Sequence, residues 1–137
     1  ITYYGGSQAG GLGLYIAGLN HQLRKVVTFV PALTDTMAHR VGRISSWPHA
    51  WEHAQTDEQR AALDLNLPYY DAANFASRIR CPIRVTVGFR DGTCYPHCVY
   101  AAYNEIMVSD KEILHAVDSG HGMPDKVFGS LDNWLKQ

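Results

Sequence analysis

The sequence predicts an α/β protein, a parallel β-sheet covered by helices on both faces. Three observations carry that expectation. Short β-branched and apolar runs alternate along the chain with segments of helical period. The run KVVTFV (25–30) is mostly apolar without polar alternation, as in a strand buried on both faces of a parallel sheet. Between the first such run and the first helical pattern lies YYGGSQAGGLG (3–13). Its small residues suit a tight strand-to-helix turn that other groups approach closely.

Ile1, Thr2, Tyr3 and Tyr4 form a β-prone start that breaks at Gly5 and Gly6. Residues 8–20 follow a helical period that sets Leu12, Tyr15, Ile16 and Leu19 on one side. Gly10, Gly11 and Gly13 each cost that helix about 1 kcal/mol relative to alanine, a loss that close packing on a strand offsets. The second strand, 25–30, closes at Pro31. The stretch at about 32–79 is longer and more polar, and reads as a helical insertion in a single domain spanning 1–137. Within it a helix starts at Asp57-Glu58-Gln59-Arg60, and another is expected over 69–78 through Ala72, Ala73, Phe75 and Ala76. PIRVTVGF (82–89) is a third strand, VYAAYNEIM (99–107) a helix entered by Pro96, and KEILHAV (111–117) a fourth strand. Pro124 opens a last amphipathic helix whose stripe of Val127, Phe128, Leu131, Trp134 and Leu135 is expected to pack in the core. The first strand would be an apolar sheet edge, a position that proteins normally cover or charge. The expected fold is therefore partial, with a parallel sheet running from the first strand onward.

At 137 residues the chain is long enough for one domain with a real core and short for two. Hydrophobic residues at 46% and charged residues at 18% describe a globular chain rather than a disordered one. A formal net charge of −1 gives no electrostatic footprint for nucleic acid. No apolar run approaches the roughly 20 residues of a membrane span. Cys81, Cys94 and Cys98 are too few for a disulfide framework, so the compartment stays open. Ile1 already belongs to a strand-like run, which puts the expected natural start upstream.

In parallel α/β sheets chemistry gathers at the carboxyl ends of the strands. Ser7 follows the first strand, Asp91 the third (VGFRDG) and His121 the fourth (DSGHG). Serine, acid and histidine in that chain order, at three strand ends, is the α/β-hydrolase arrangement. Gly5-Gly6-Ser7-Gln8-Ala9 is its G-x-S-x-G elbow with alanine in the last place, and the N–H of Gln8 is the oxyanion donor it nominates. Asp35, after the second strand, and Asp118, three residues before His121, compete for the role of acid. Their plainer readings are a helix cap and a solvated carboxylate.

Taken together, GGSQAGG, VPALTD, GRISSWPHAW, YYDAANFASRIRCPIRVTVGFRDGTCYP, VYAAYNEI and GHGMP resemble the carboxyl-terminal half of the acetyl xylan esterase / cephalosporin-C deacetylase family, carbohydrate esterase family seven. The resemblance runs over nearly the whole chain. It implies an α/β-hydrolase fold and a serine esterase that removes acetyl groups from xylo-oligosaccharides and related small esters. It implies Ser7 as nucleophile, Asp91 as acid and His121 as base, with no metal or organic cofactor. Ala9 stands where the family usually has glycine. The resemblance also implies further chain before the nucleophile strand, which would complete the sheet and donate a second oxyanion N–H.

Other constellations carry less. Cys94, His97 and Cys98 in CYPHC look like metal ligands, but structural zinc uses four, and the segment reads more simply as the start of a helix near Asp91. His49 and His53 lie four apart without a third ligand; WPHAWEHA reads as an aromatic loop or lid segment, with the lining of a substrate or oligomer surface by Trp47, Pro48 and Trp51 as the alternative. His21, His39 and His115 carry no supporting pattern.

The expected function is a serine carbohydrate esterase acting on a small acetylated carbohydrate, without nucleic acid or membrane partners. A homo-oligomer or a companion segment would cover the first strand. The rivals are a non-catalytic remnant serving as a binding or assembly module, and a peptidase of the same fold, since a triad does not tell ester from amide.

Overall fold

The strands form where the apolar runs lie. In the computed structural model, which describes residues 1–137, β1 (Thr2–Gly6), β2 (Lys25–Phe29), β3 (Ile83–Gly88) and β4 (Lys111–Ala116) make one parallel sheet in the order β1-β2-β3-β4. The register pairs Gly6 with Phe29, Val26 with Ile83, and Gly88 with Ala116. All four strands therefore deliver their carboxyl ends to the same edge of the sheet, where Ser7, Asp91 and His121 follow.

Alternation along β2 shows how the two faces are filled. Val26 belongs to a core with Leu14, Val85, Val99 and Ile106, beneath α1 (Ser7–Leu19), α4 (Ala73–Ala76) and α5 (Pro96–Glu105). Val27 points the other way, to Val127 and Leu131 of α6 (Asp125–Lys136). Successive side chains of a strand leave opposite faces, so one apolar run serves two layers of helix. Trp134 is half-buried rather than core: Lys25 Nζ and the Arg84 guanidinium lie 4.7 and 4.2 Å from its ring centroid.

Between β2 and β3 the chain makes a short 3-10 turn at Ala38–Val41, then α2 (Ala50–His53), α3 (Asp57–Asn66), a second 3-10 turn at Leu67–Tyr70, and α4. Thr56 caps α3 in a reciprocal capping box with Gln59, which explains why the helix starts at Asp57. The helix expected over 69–78 is broken at Asp71, which is extended. The buried Asp71 carboxylate accepts from the N–H groups of Asp35, Thr36 and Ala73 and from the Thr36 hydroxyl. That tertiary demand outweighs local helical propensity.

β1 pairs only with β2, so its other edge is open. No helix is long and apolar enough to cross a membrane.

Candidate active site

Ser7 is the first residue of α1 and directly continues β1. It holds φ +54°, a left-handed backbone that a non-glycine residue adopts at a cost of about 1–3 kcal/mol. Two local contacts hold it there. A Cβ on Gly6 would lie 1.9 Å from the Phe29 ring, so only glycine lets the strand end come this close to β2. The Ser7 carbonyl accepts from the N–H of Ala32 at 2.9 Å, which ties the turn to the segment after β2. Ala9 is exposed, so its methyl group, where the elbow expects glycine, meets no neighbour it must displace. Gln8 is the second residue of α1; first-turn N–H groups have no partner within the helix and remain available as donors.

The loop after β3 carries Asp91, which is 3% exposed. Its Oδ1 accepts from the N–H groups of Thr93 at 2.8 Å and Cys94 at 2.9 Å, which orients the carboxylate. The loop after β4 carries His121 and is fastened to the Asp91 loop: Arg90 N–H donates to Ser119 carbonyl at 2.9 Å, and Phe89 N–H to Ala116 carbonyl at 3.1 Å.

These loops bring the three side chains into one line. His121 Nδ1 lies 2.9 Å from Asp91 Oδ2, and His121 Nε2 lies 2.9 Å from Ser7 Oγ. An ionised carboxylate only accepts, so Nδ1 carries the imidazole proton and Nε2 is left to accept from the Ser7 hydroxyl. This geometry permits proton transfer from a serine hydroxyl to a base whose conjugate acid is stabilised from behind.

The competing carboxylates lie elsewhere. Asp118 is exposed and pairs with Arg90 at 3.3 Å, and Asp35 pairs with Arg43 at 3.2 Å. Asp35 is not a helix cap; it sits at φ +50° just after β2, in a stretch where Val30 and Leu33 also have positive φ. CYPHC divides between two neighbourhoods. The Cys94 side chain lies by Asp91 and His121, whereas His97 and Cys98 lie by Asp35, and the His97 ring also meets the Ile44 carbonyl at 2.9 Å. His49 precedes α2 and its ring stands edge-on to that of His53 at 6.3 Å. Trp51 stacks on His39 at 3.8 Å, and His39 Nε2 pairs with Asp64 at 2.7 Å, an arrangement no sequence pattern indicated. Ser46 is the other unforeseen neighbour. Its loop reaches the Asp91 loop through Trp47 N–H, which donates to Thr93 carbonyl at 3.1 Å.

Cys94 is fully buried beside these groups, and burial pushes its thiol up to about 11. The most apolar hollow, about 430 Å³ between α2 and α3, is lined by Ala50, His53, Ala54 and Leu63 and includes no member of the triad.

The acetyl xylan esterase (AXE1) family matches residues 1–136. Acetyl esterase Axe7A of Xylanibacter ruminicola is 33% identical over 139 residues, a match that covers all of this chain and 30% of that protein. An acetyl xylan esterase from Paenibacillus sp. R4 superposes with a TM-score of 0.81 at 28% identity, over 99% of this chain and 44% of that one. Acetyl xylan esterase 1 from Thermoanaerobacterium sp. JW/SL YS485 does so with a TM-score of 0.81 at 32% identity, over 97% and 43%. The chain thus spans less than half the length of these relatives. Its parallel sheet and flanking helices are part of an α/β-hydrolase fold. With the match extending from β1 to the end of α6, the chain belongs to the acetyl xylan esterase family.

Proposed function

We propose that this chain carries the nucleophile, base and acid of a serine esterase that removes acetyl groups from xylo-oligosaccharides or similar small esters. The observation that carries the reading is the Asp91–His121–Ser7 line, with 2.9 Å at each junction. Ser7 Oγ attacks the acetyl carbonyl while His121 Nε2 accepts its proton. Asp91 stabilises the imidazolium, and the proton then passes to the departing sugar hydroxyl. Water, activated by the same imidazole, releases acetate and restores Ser7. The N–H of Gln8 supplies one oxyanion donor. A second donor comes from outside these residues, and the loss of one donor costs about 2.7–4 kcal/mol of transition-state stabilisation.

The substrate class follows from family membership, since the triad accepts esters and amides alike. The open edge of β1 favours a companion segment or a second copy against that strand, because unpaired strand groups on an apolar edge recruit pairing. Ser7→Ala is the direct test. A fluorophosphonate that reacts with activated serines should label the wild-type chain and leave the variant unlabelled. Acetate-ester hydrolysis by the complete enzyme should fall at least about 10³-fold, with an unchanged thermal midpoint. Wild-type turnover in that variant would reject Ser7 as nucleophile.

A further inference from the structure

Glu52 stands on α2, and the reaction outlined above does not use it. It is exposed, yet both of its carboxylate oxygens are engaged. Oε1 accepts from the N–H of Ser45 and Oε2 from the Ser45 hydroxyl, each at 2.8 Å. The Ser45 carbonyl is engaged as well, by His49 Nδ1 at 2.7 Å, which therefore carries the hydrogen of that contact. Every polar group of this buried serine is thus bound within residues 45–52. Trp47, two residues on, does the opposite. Its N–H donates to the Thr93 carbonyl and its carbonyl accepts from the N–H of Leu33, each at 3.1 Å. Both partners lead to the triad. The Thr93 N–H donates to Asp91 Oδ1 at 2.8 Å, and Ala32, next to Leu33, donates its N–H to the Ser7 carbonyl at 2.9 Å.

We propose that Glu52 is a positioning residue for the reaction: its two-point grip on Ser45 fixes the Trp47 peptide, which spaces the acid loop from the nucleophile turn. The role rests on the esterase reading of Ser7, Asp91 and His121. A four-residue helix such as α2 holds no shape alone, so the 45–52 turn needs side chains to close it. Glu52 supplies one closure. His49 supplies another, and its φ of +55° is a left-handed backbone that only fixed surroundings sustain. Burial would raise the Glu52 carboxyl, but the Ser45 N–H and hydroxyl hold it below its ordinary range, so it remains an acceptor at neutral pH. Because Trp47 bonds to both loops, a shift of its peptide moves Asp91 relative to Ser7, with His121 between them. A one-ångström error in such a placement costs up to about 10²-fold in rate. An exposed carboxylate fills no part of the core, so its removal acts on that spacing and leaves the packing intact.

Two measurements on the full chain test this. The first is the rate of Ser7 labelling by a fluorophosphonate, in which a Ser7 Oγ–P bond forms as fluoride and the serine proton leave. Glu52→Ala should label about tenfold more slowly. Glu52→Gln keeps an acceptor for the Ser45 N–H and offers a donor to its hydroxyl, so it should stay within about threefold of wild type. The second is the proton NMR resonance of the His121 Nδ1–H, identified by its loss in His121→Ala. It should shift in Glu52→Ala, where the contact with Asp91 changes, and stay in place in Glu52→Gln. Equal labelling of Glu52→Ala and wild type, or a resonance unmoved in Glu52→Ala, would overturn the proposal. Glu52→Gln as slow as Glu52→Ala would assign the effect to charge instead of the grip, and would overturn it too. A wild-type chain that does not label would count against the esterase reading, and the resonance would then decide the role of Glu52 independently. Should Glu52→Ala fail to fold, Ser45→Ala, which loses only the Oε2 contact, should show both effects to a smaller degree. Neither effect in that variant would overturn the proposal equally.

Discussion

The two sides of α1 are built in opposite ways. Toward the sheet and α4 the helix presents Gly10, Gly11, Gly13, Leu14, Ala17 and Gly18, all buried. On its other side Leu12, Ile16 and Leu19 are exposed, Leu19 to 64%. Ordinary amphipathic helices do the reverse, burying their large apolar residues. The difference teaches that distance, not apolarity, governs this helix. Because Ser7 opens it directly from β1, its first turns must lie almost on the strands, and only small side chains fit there. Leu14 apart, the large aliphatic residues are left to the outer side, where Leu12, Ile16 and Leu19 stay exposed.

The inner side also rests on the residues around α4. The Tyr15 hydroxyl donates to the Tyr70 carbonyl, and its ring meets Phe75 edge-on at 4.9 Å. Asp71 organises this support through four accepted hydrogen bonds. Asp71→Ala should therefore give the largest loss of stability, about 3 kcal/mol, because it strands several buried donors together. Urea unfolding followed by circular dichroism measures it, and a loss below about 0.5 kcal/mol would mean that the inner side does not depend on this carboxylate.

Gly11→Ala should come next. A Cβ there would lie 2.3 Å from the Ala32 carbonyl oxygen, and the N–H of Ala32 holds Ser7. Overpacking against backbone costs about 2 kcal/mol, more than the roughly 1 kcal/mol that alanine adds to helix propensity. The same denaturation series reads this effect, with slower fluorophosphonate labelling of Ser7 as its second sign. A stabilised variant would show that the close approach is not needed.

A smaller effect concerns pH. Burial holds the Asp71 carboxyl above its ordinary range, and its hydrogen bonds offset only part of that. A raised folded-state value means that the native chain binds more protons than the unfolded one just above the ordinary carboxylate range. This contribution to stability is full below that range and is lost as pH rises through the raised value. Asp71→Asn should flatten that decline, as stability measured from pH 3 to 7 would reveal. An identical slope in both proteins would assign the decline to other groups.

The smallest effect on stability belongs to the outer side. Leu12→Gln with Ile16→Gln should change unfolding free energy by no more than about 0.5 kcal/mol. It should nevertheless reduce self-association in sedimentation velocity, if the outer side of α1 and the open edge of β1 are where another segment or copy docks. Large destabilisation would instead show that these residues are buried within the chain, and would erase the contrast between the two sides.

The sequence by itself determined the four strands, their alternation with helices and the placing of Ser7, Asp91 and His121 just beyond strand ends. Those features are local: a strand announces itself within a few residues, and parallel pairing brings all carboxyl ends to one edge. It also carried the family, because GGSQAGG, the 82–95 region and GHGMP are separated motifs that lie together in no arbitrary sequence. Only the tertiary structure decided which carboxylate meets His121. Asp35, Asp91 and Asp118 all follow strands, and the choice falls on Asp91 through the N–H groups of Thr93 and Cys94 and the fastening of one loop to the next. The structure likewise decided which side of α1 is buried, where the 69–78 helix breaks, and that Cys94 lies beside Asp91 and His121. Each of these depends on groups tens of residues apart in sequence. A residue's period reports its own turn of helix or strand, whereas the space it must fill is set by whatever the rest of the chain packs against it.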